Sequence, residues 1–291
     1  MHVKTETQKM TDEKQIWTET IEAKHSLFDL KLKEVWQYKD LVYMFVKRDF
    51  IASFKQTILG PLWFFINPLL TTITYLIVFG KIANLPTDGV PQFLFYLAGV
   101  TLWNFYSSTL TGISSTFSGN AGIFGKVYFP RLVTPISVAL SNFMRFGVQF
   151  FLFLCGWGYF LYKGNIEPNI WVLMTPVLII MMSLFALGLG MIFSALTTKY
   201  RDMQMLLGFG VSLFMYLTPV IYPISSLKGK YRILADYNPL SPIFECFKYG
   251  WLGSGSFTVG QLGISAAIIM VILAIGVVIF NTVEKTFMDT V

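Results

Sequence analysis

Between Asp49 and Asp202 the chain carries only two acidic residues, Asp88 and Glu167, and each falls in a short polar break. A soluble domain spreads charge over its whole surface, about a quarter of its residues. Here charged residues make up 13% of 291 and hydrophobic residues 54%, with a mean hydropathy of +0.60. A chain this poor in carboxylates cannot clothe a water-facing globule. The expectation is an all-α integral membrane protein that crosses the bilayer several times.

A crossing needs about 20 mostly apolar residues. Six stretches qualify: 60–82, 91–115, 134–161, 170–196, 204–222 and 260–281. Between them, "KIANLPTDGVPQ" (81–92) and "YKGNIEPN" (162–169) read as turns. "SGNAGIFGKVYFPR" (118–131) is a longer link with Lys126 and Arg131, and "TTKYRD" (197–202) is short and basic. Residues 222–256 are too polar for a plain span and too apolar for a free loop. Lys and Arg are counted on alternate sides. With a cytoplasmic N-terminus, sixteen fall inside, Arg145 included, and six outside. Both termini are therefore expected in the cytoplasm. The first 26 residues lack the apolar core of a cleavable signal, so the first span is expected to direct insertion. The net charge of +6 suits an anionic inner leaflet rather than nucleic acid.

The segment "KRDFIASFKQTILGPLW" (47–63) leads into the first span. On a helical wheel Val46, Phe50, Ile51, Phe54 and Ile58 share one arc, while Arg48, Asp49, Lys55 and Gln56 oppose it and Lys47 would snorkel. This spacing predicts an amphipathic helix along the membrane surface, with Gly60-Pro61 as the bend. Asp49 is more than a topology signal requires and favours a helix that also docks a cytoplasmic partner.

Catalytic chemistry is missing. The only histidines, His2 and His25, lie in the polar tail, and Cys155 and Cys246 form neither a disulfide framework nor a metal spacing. The Gly-Lys pairs at 80–81, 125–126 and 229–230 lack the Ser or Thr of a phosphate loop. No Asp or Glu sits within an expected span, as an ion-coupled carrier would keep one. Arg145, in the third span, either snorkels to the cytoplasmic side or meets an anionic head group or a lumen. Active transport would therefore draw its energy from another chain. Aromatic residues make up 17% of the sequence. Many form lipid-facing bulk and interfacial belts, but several lie beside Asn67, Thr71, Thr72, Asn104, Ser107, Ser108 and Thr111. Aromatic faces stack on sugar rings and hydroxyls satisfy sugar hydroxyls, so an uncharged path for a neutral polymer is expected. The candidates to line it are Trp63, Tyr75, Trp103, Phe105, Tyr106, Phe209, Tyr216 and Tyr222.

"RDFIASFKQTILGPLWFFINPLL" (48–70), "GNAGIFGKVYFPRLVTPIS" (119–137) and "YNPLSPIFECFKYGWLG" (237–253) occur in this order. Together they resemble the permease subunit of ABC-2 type polysaccharide exporters, on the O-antigen and teichoic-acid branch. The similarity runs from about residue 36 to the C-terminus. It implies six membrane helices, a homodimer enclosing a channel in a bacterial inner membrane, and two cytoplasmic ATPase subunits that hold ATP and Mg. This chain itself would hold no cofactor. It also implies a cytoplasmic extension over 1–35, an interface helix over 36–58 and a transmembrane domain over 59–291. Within that domain, 118–131 would be the coupling loop and 223–256 re-entrant periplasmic gate helices. Contacts with the ATPase would come from Arg48, Asp49, Asn120, Ile123, Phe124, Lys126, Arg201 and Asp202. The lipid head group would meet Lys47, Arg48 and Lys55. The gate would hold Asn238, Pro239, Glu245 and Lys248, the last two at i and i+3 as a local ion pair. The chain departs at Ile51, Ser53 and Phe54, where the resemblance leads one to expect more basic residues and a tyrosine. Exporters of teichoic acid, capsule, lipid or drug share the architecture; a passive channel or an interaction subunit would lack the dependence on an ATPase.

Overall fold

The computed structural model describes residues 32–124, 126–127, 129–200 and 202–290, with side chains over 34–283 of these. The expected extension at 1–35, His2, His25 and Arg201 fall outside the described residues, apart from the extension's last four. Every regular element among the described residues is a helix.

Two helices open the fold, α1 (Leu32–Gln37) and α2 (Lys39–Ala52). The amphipathic segment is shorter than expected, because the chain stops being helical after Ala52. Ser53 Oγ donates to the Phe50 carbonyl and Thr57 Oγ1 to the Phe54 carbonyl, offering the backbone local alternatives to the helical ladder. Gln56 takes a positive φ of 69°. Gly60-Pro61 then restarts the chain in a 3₁₀ turn with Pro at its first positions, and α3 (Trp63–Tyr75) follows. Phe64 stacks on Phe50 at 5.5 Å and meets Phe54 edge-on at 6.2 Å. These rings hold the end of α2 against the first turn of α3. The buried face of α2 is Val42, Phe45 and Val46. It packs on protein, with Phe45 against Phe129 at 5.8 Å, whereas Ile51 and Ile58 of the expected apolar arc are exposed.

Pro68 removes a backbone donor inside α3, which continues through a π-helical stretch over Leu76–Ile82. Then come α4 (Gln92–Ser114), α5 (Thr116–Phe124), α6 (Val133–Tyr162), α7 (Thr175–Lys199) and α8 (Met203–Leu217). The chain closes with α9 (Lys230–Tyr237), α10 (Ser241–Leu252) and α11 (Val259–Thr290).

Four stretches among the described residues are long and apolar enough to cross a membrane: Gly60–Ile82, Val133–Tyr162, Ile170–Lys199 and Val259–Val283. Two of the six expected stretches do not reach that standard, for different reasons. The centre of the bundle is α4, packed between α6 and α7 with α3, α8 and α10 around it. Protein covers most of it, and Asn104, Ser107, Ser108 and Thr111, which lower its hydropathy, are half-buried or exposed on its open side. The other, α8, has 15 residues and gives way to extended backbone at Thr218. At 1.5 Å per residue that is about 22 Å, short of the roughly 30 Å core.

Small residues set the closest approach in the bundle. A Cβ placed on Gly276 of α11 would stand 2.3 Å from the carbonyl oxygen of Gly188 on α7. The two backbones touch there, as small residues permit between membrane helices.

Candidate translocation groove and coupling surface

A groove of about 440 Å³ opens where α3, α4 and α8 meet, lined by Tyr75, Trp103, Ser107, Ser108, Thr111, Val211, Ser212, Met215 and Tyr216. Helical spacing builds it. Trp103, Ser107 and Thr111 recur every four residues on α4, and Ser212 and Tyr216 do so on α8. Tyr75 reaches across from α3, its hydroxyl 3.2 Å from the Met215 sulfur. No lining side chain is ionisable apart from the two phenols. The groove offers rings and hydroxyls, with Thr111 donating inward to its own helix at Ser107 O.

Three of the eight expected lining aromatics meet here: Tyr75, Trp103 and Tyr216. Tyr222 lies next to them, its hydroxyl donating to the Tyr216 carbonyl at 2.8 Å. Trp63 and Phe209 are exposed on α3 and α8 and are not among the residues that line the groove. Phe105 and Tyr106 are placed elsewhere altogether. Phe105 is buried against Phe146 at 5.2 Å on α6, and Tyr106 is fully buried and stacked on Phe185 of α7 at 5.5 Å. Composition could not separate these from Trp103, because α4 is covered on nearly all sides. Ser212 and Met215 escaped the sequence reading; the i,i+4 relation of Ser212 to Tyr216 is the signal that could have found them.

At the other end of α4 lie α5 and the residues after it, the stretch expected to contact an ATPase. Ser118, Gly119, Gly122, Lys126 and Val127 are exposed, and Asn120 and Ile123 are half-buried. Phe124 differs from expectation: it is 4% exposed and packs against Phe117 and Phe129, with the Arg131 guanidinium 5.6 Å from its ring. It anchors the segment rather than presenting it. Asp202 is exposed just before α8, and its carbonyl accepts from the Met205 and Leu206 amides. Lys47, Arg48 and Lys55 are exposed. Arg48 pairs with Asp49 at 2.8 Å and lies over the Phe45 ring at 4.6 Å. A link the sequence did not suggest ties α2 to α6: Arg145 Nη2 donates to the Asp49 carbonyl at 3.0 Å.

Residues 223–256 fold back on the bundle. Within them α10 is buried over all but one of its residues, whereas α9 exposes Tyr231, Ile233, Leu234 and Tyr237. Asn238 clamps the end of α8 to the start of α10, donating to Thr218 Oγ1 at 2.9 Å and accepting from the Leu240 amide at 3.0 Å. Pro239 next to it is half-buried. Glu245 and Lys248 are each 1% exposed, with Nζ 3.8 Å from Oε1. The Lys248 ammonium donates to the Pro219 carbonyl at 2.5 Å and sits 3.9 Å from the centre of the Phe95 ring. The Glu245 carboxylate accepts from the Ser256 amide at 2.9 Å. The pair thus joins α10 to the chain after α8 and to the link before α11.

The pattern that describes the ABC-2 type transporter family matches residues 40–252. The O-antigen export system permease protein RfbA of Klebsiella pneumoniae is 28% identical over 251 residues, covering 86% of this chain and 94% of that protein. RfbA of Myxococcus xanthus is 28% identical over 221 residues, 75% of this chain and 82% of that protein. The polysialic acid transport protein KpsM of Escherichia coli is 23% identical over 251 residues, 84% and 93% of the two chains. With a helical bundle of membrane-spanning length and a family match over most of its residues, the chain is an integral membrane protein of the ABC-2 type transporter family.

Proposed function

We propose that the chain is the membrane subunit of an ATP-driven exporter that carries a lipid-linked polysaccharide of the O-antigen type across a bacterial inner membrane to the periplasm. It works as a homodimer with two cytoplasmic ATPase subunits, both termini of each copy cytoplasmic. In this reading α4 and α8 cross the membrane with the four longer stretches, giving six crossings per subunit. Residues 223–256 form the re-entrant gate on the periplasmic side. Their buried backbone is tolerated at membrane depth because protein covers it.

The observation that carries the reading is the chemistry of the groove between α3, α4 and α8. An uncharged wall of Tyr75, Trp103, Tyr216 and four hydroxyl side chains suits a neutral glycan and holds no carboxylate, histidine or basic side chain to drive an ion-coupled cycle. Two such grooves facing each other across a dimer would form one channel. ATP binding closes the ATPase pair, α5 and the exposed Lys126 transmit that closure, and α2 follows through Arg145. The names of the RfbA relatives point to the same cargo class.

Tagged chain expressed with the ATPase encoded beside it should co-purify in equal stoichiometry, with ATP turnover stimulated by lipid-linked glycan. A complex stimulated by small lipids and indifferent to glycan would move the cargo to the lipid class. The absence of any ATPase in the complex would overturn the reading.

A further inference from the structure

A cavity of about 470 Å³ lies between α6 and the start of α7, remote from the groove of α3, α4 and α8. Its floor includes Phe146, Ile179 and Trp251, all buried, and its rim includes Phe143, Leu173 and Ile180, all exposed. Both walls belong to stretches of membrane-spanning length, Val133–Tyr162 and Ile170–Lys199, so the rim faces hydrocarbon. Gly147 keeps the space open. It lines the cavity, is exposed, and a Cβ built on it meets nothing within 4 Å.

The polar atoms at this site are already paired. Thr175 and Trp251 supply the only polar side-chain atoms of the lining. Trp251 Nε1 donates to Thr175 Oγ1 at 2.9 Å, and that hydroxyl donates on to the Val172 carbonyl at 2.7 Å. Nothing is left to hold a head group or a water, and apolar cavities of this kind stay dry. Left empty, the lining would forfeit its dispersion contacts on one side. The chemistry therefore calls for hydrocarbon.

Depth narrows the occupant. Val172 to Ile180 stand in the first turns of one stretch, and Phe143 to Phe150 at the middle of the other. The cavity thus runs from the membrane surface on the α10 side to the midplane. From Phe143 to Phe150 the helix rises about 10 Å, within the roughly 15 Å that one leaflet contributes to the core. A flexible chain anchored at that surface reaches the whole space. A second transmembrane helix, about 10 Å across and crossing both leaflets, does not match it.

We infer that the cavity between α6 and α7 binds one acyl chain of a membrane phospholipid, held through its methylenes and indifferent to its head group. The inference rests on the membrane class of the chain and not on its cargo. Trp251 belongs to α10 and Thr175 to α7, so a seated chain packs against the joint between these helices.

The test uses the full chain in detergent, with no ATPase and no glycan present. Phosphatidylcholine and phosphatidylglycerol of long and short acyl chains are titrated in, and retained lipid is counted by native mass spectrometry. Saturable retention is expected, equal for the two head groups and roughly tenfold weaker for the short chains. Gly147→Phe, which fills the cavity, should weaken long-chain retention roughly tenfold or more. Met270→Phe, on an exposed position of α11, should leave it unchanged. If Gly147→Phe does not fold, phosphatidylcholine with brominated chains serves in its place: it should quench tryptophan emission saturably, and Trp251→Phe should remove the saturable part. Unchanged retention in a folded Gly147→Phe, or retention set by the head group, would overturn the site. Displacement of the phospholipid by a lower concentration of a long polyprenyl phosphate would overturn the occupant and give the cavity to an isoprenoid tail.

Discussion

The two ends of the bundle are built in opposite ways. At one end α10 is buried along almost its whole length, and aromatic rings from Phe150, Phe153, Phe247 and Trp251 interlock around it. Even its ion pair is sealed from solvent. At the other end α2 and α5 enclose a polar cavity, expose Arg48, Lys126 and Val127, and leave two donors of α6 without partners. A close-packed region resists deformation, because any shift opens voids or drives atoms together. A region with a cavity and exposed polar groups can move at lower cost. By packing alone, the α2–α5 end is the cheaper one to deform and the α10 end the stiffer frame.

The largest effect is expected at the packed end. Lys248→Met leaves the Glu245 carboxylate buried without its counter-charge and the Pro219 carbonyl without its donor. Removing one partner of a buried pair costs about 3–5 kcal/mol. Thermal unfolding in detergent should drop markedly, while Glu245→Gln combined with Lys248→Met should recover much of the loss. If the single variant matched the wild-type chain in stability, the packed end would not be the rigid frame. Next comes Gly188→Ala, whose Cβ would meet backbone atoms of Leu273 at 2.8 Å. Overpacking of this kind costs about 1–3 kcal/mol, readable in the same melt. The smallest effect on stability is expected at the open end. Lys126→Glu, on an exposed side chain, should change stability within about 0.5 kcal/mol yet lower ATP turnover of the assembled complex severalfold. Unchanged turnover would remove Lys126 from the coupling surface.

The membrane class was legible in the scarcity of carboxylates, and the turns in their Gly, Pro and Asn. Of the six expected crossings, four reach membrane-spanning length and hydropathy among the described residues. Hydropathy rewards lipid-facing helices, whereas α4 is mostly covered by protein and α8 is cut short at Thr218. Phe124 shows the same limit for sites: its motif led one to expect a residue presented to a partner, but it is buried and packs against Phe117 and Phe129. Tyr106 and Trp103 lie three residues apart on one helix, both buried with ring centroids 5.6 Å apart, and nothing in the sequence tells which of them lines the groove. The Arg145 link to α2 spans 96 positions, a distance at which periodicity carries no information.

The central claim is that the groove of α3, α4 and α8 carries the glycan. A photo-crosslinking residue in place of Ser212, compared with one in place of Ile180 on the exposed face of α7, tests it during ATP-driven export in the assembled complex. Glycan adducts that require ATP are expected at Ser212, and lipid adducts alone at Ile180. Glycan adducts at Ile180 with none at Ser212 would contradict it.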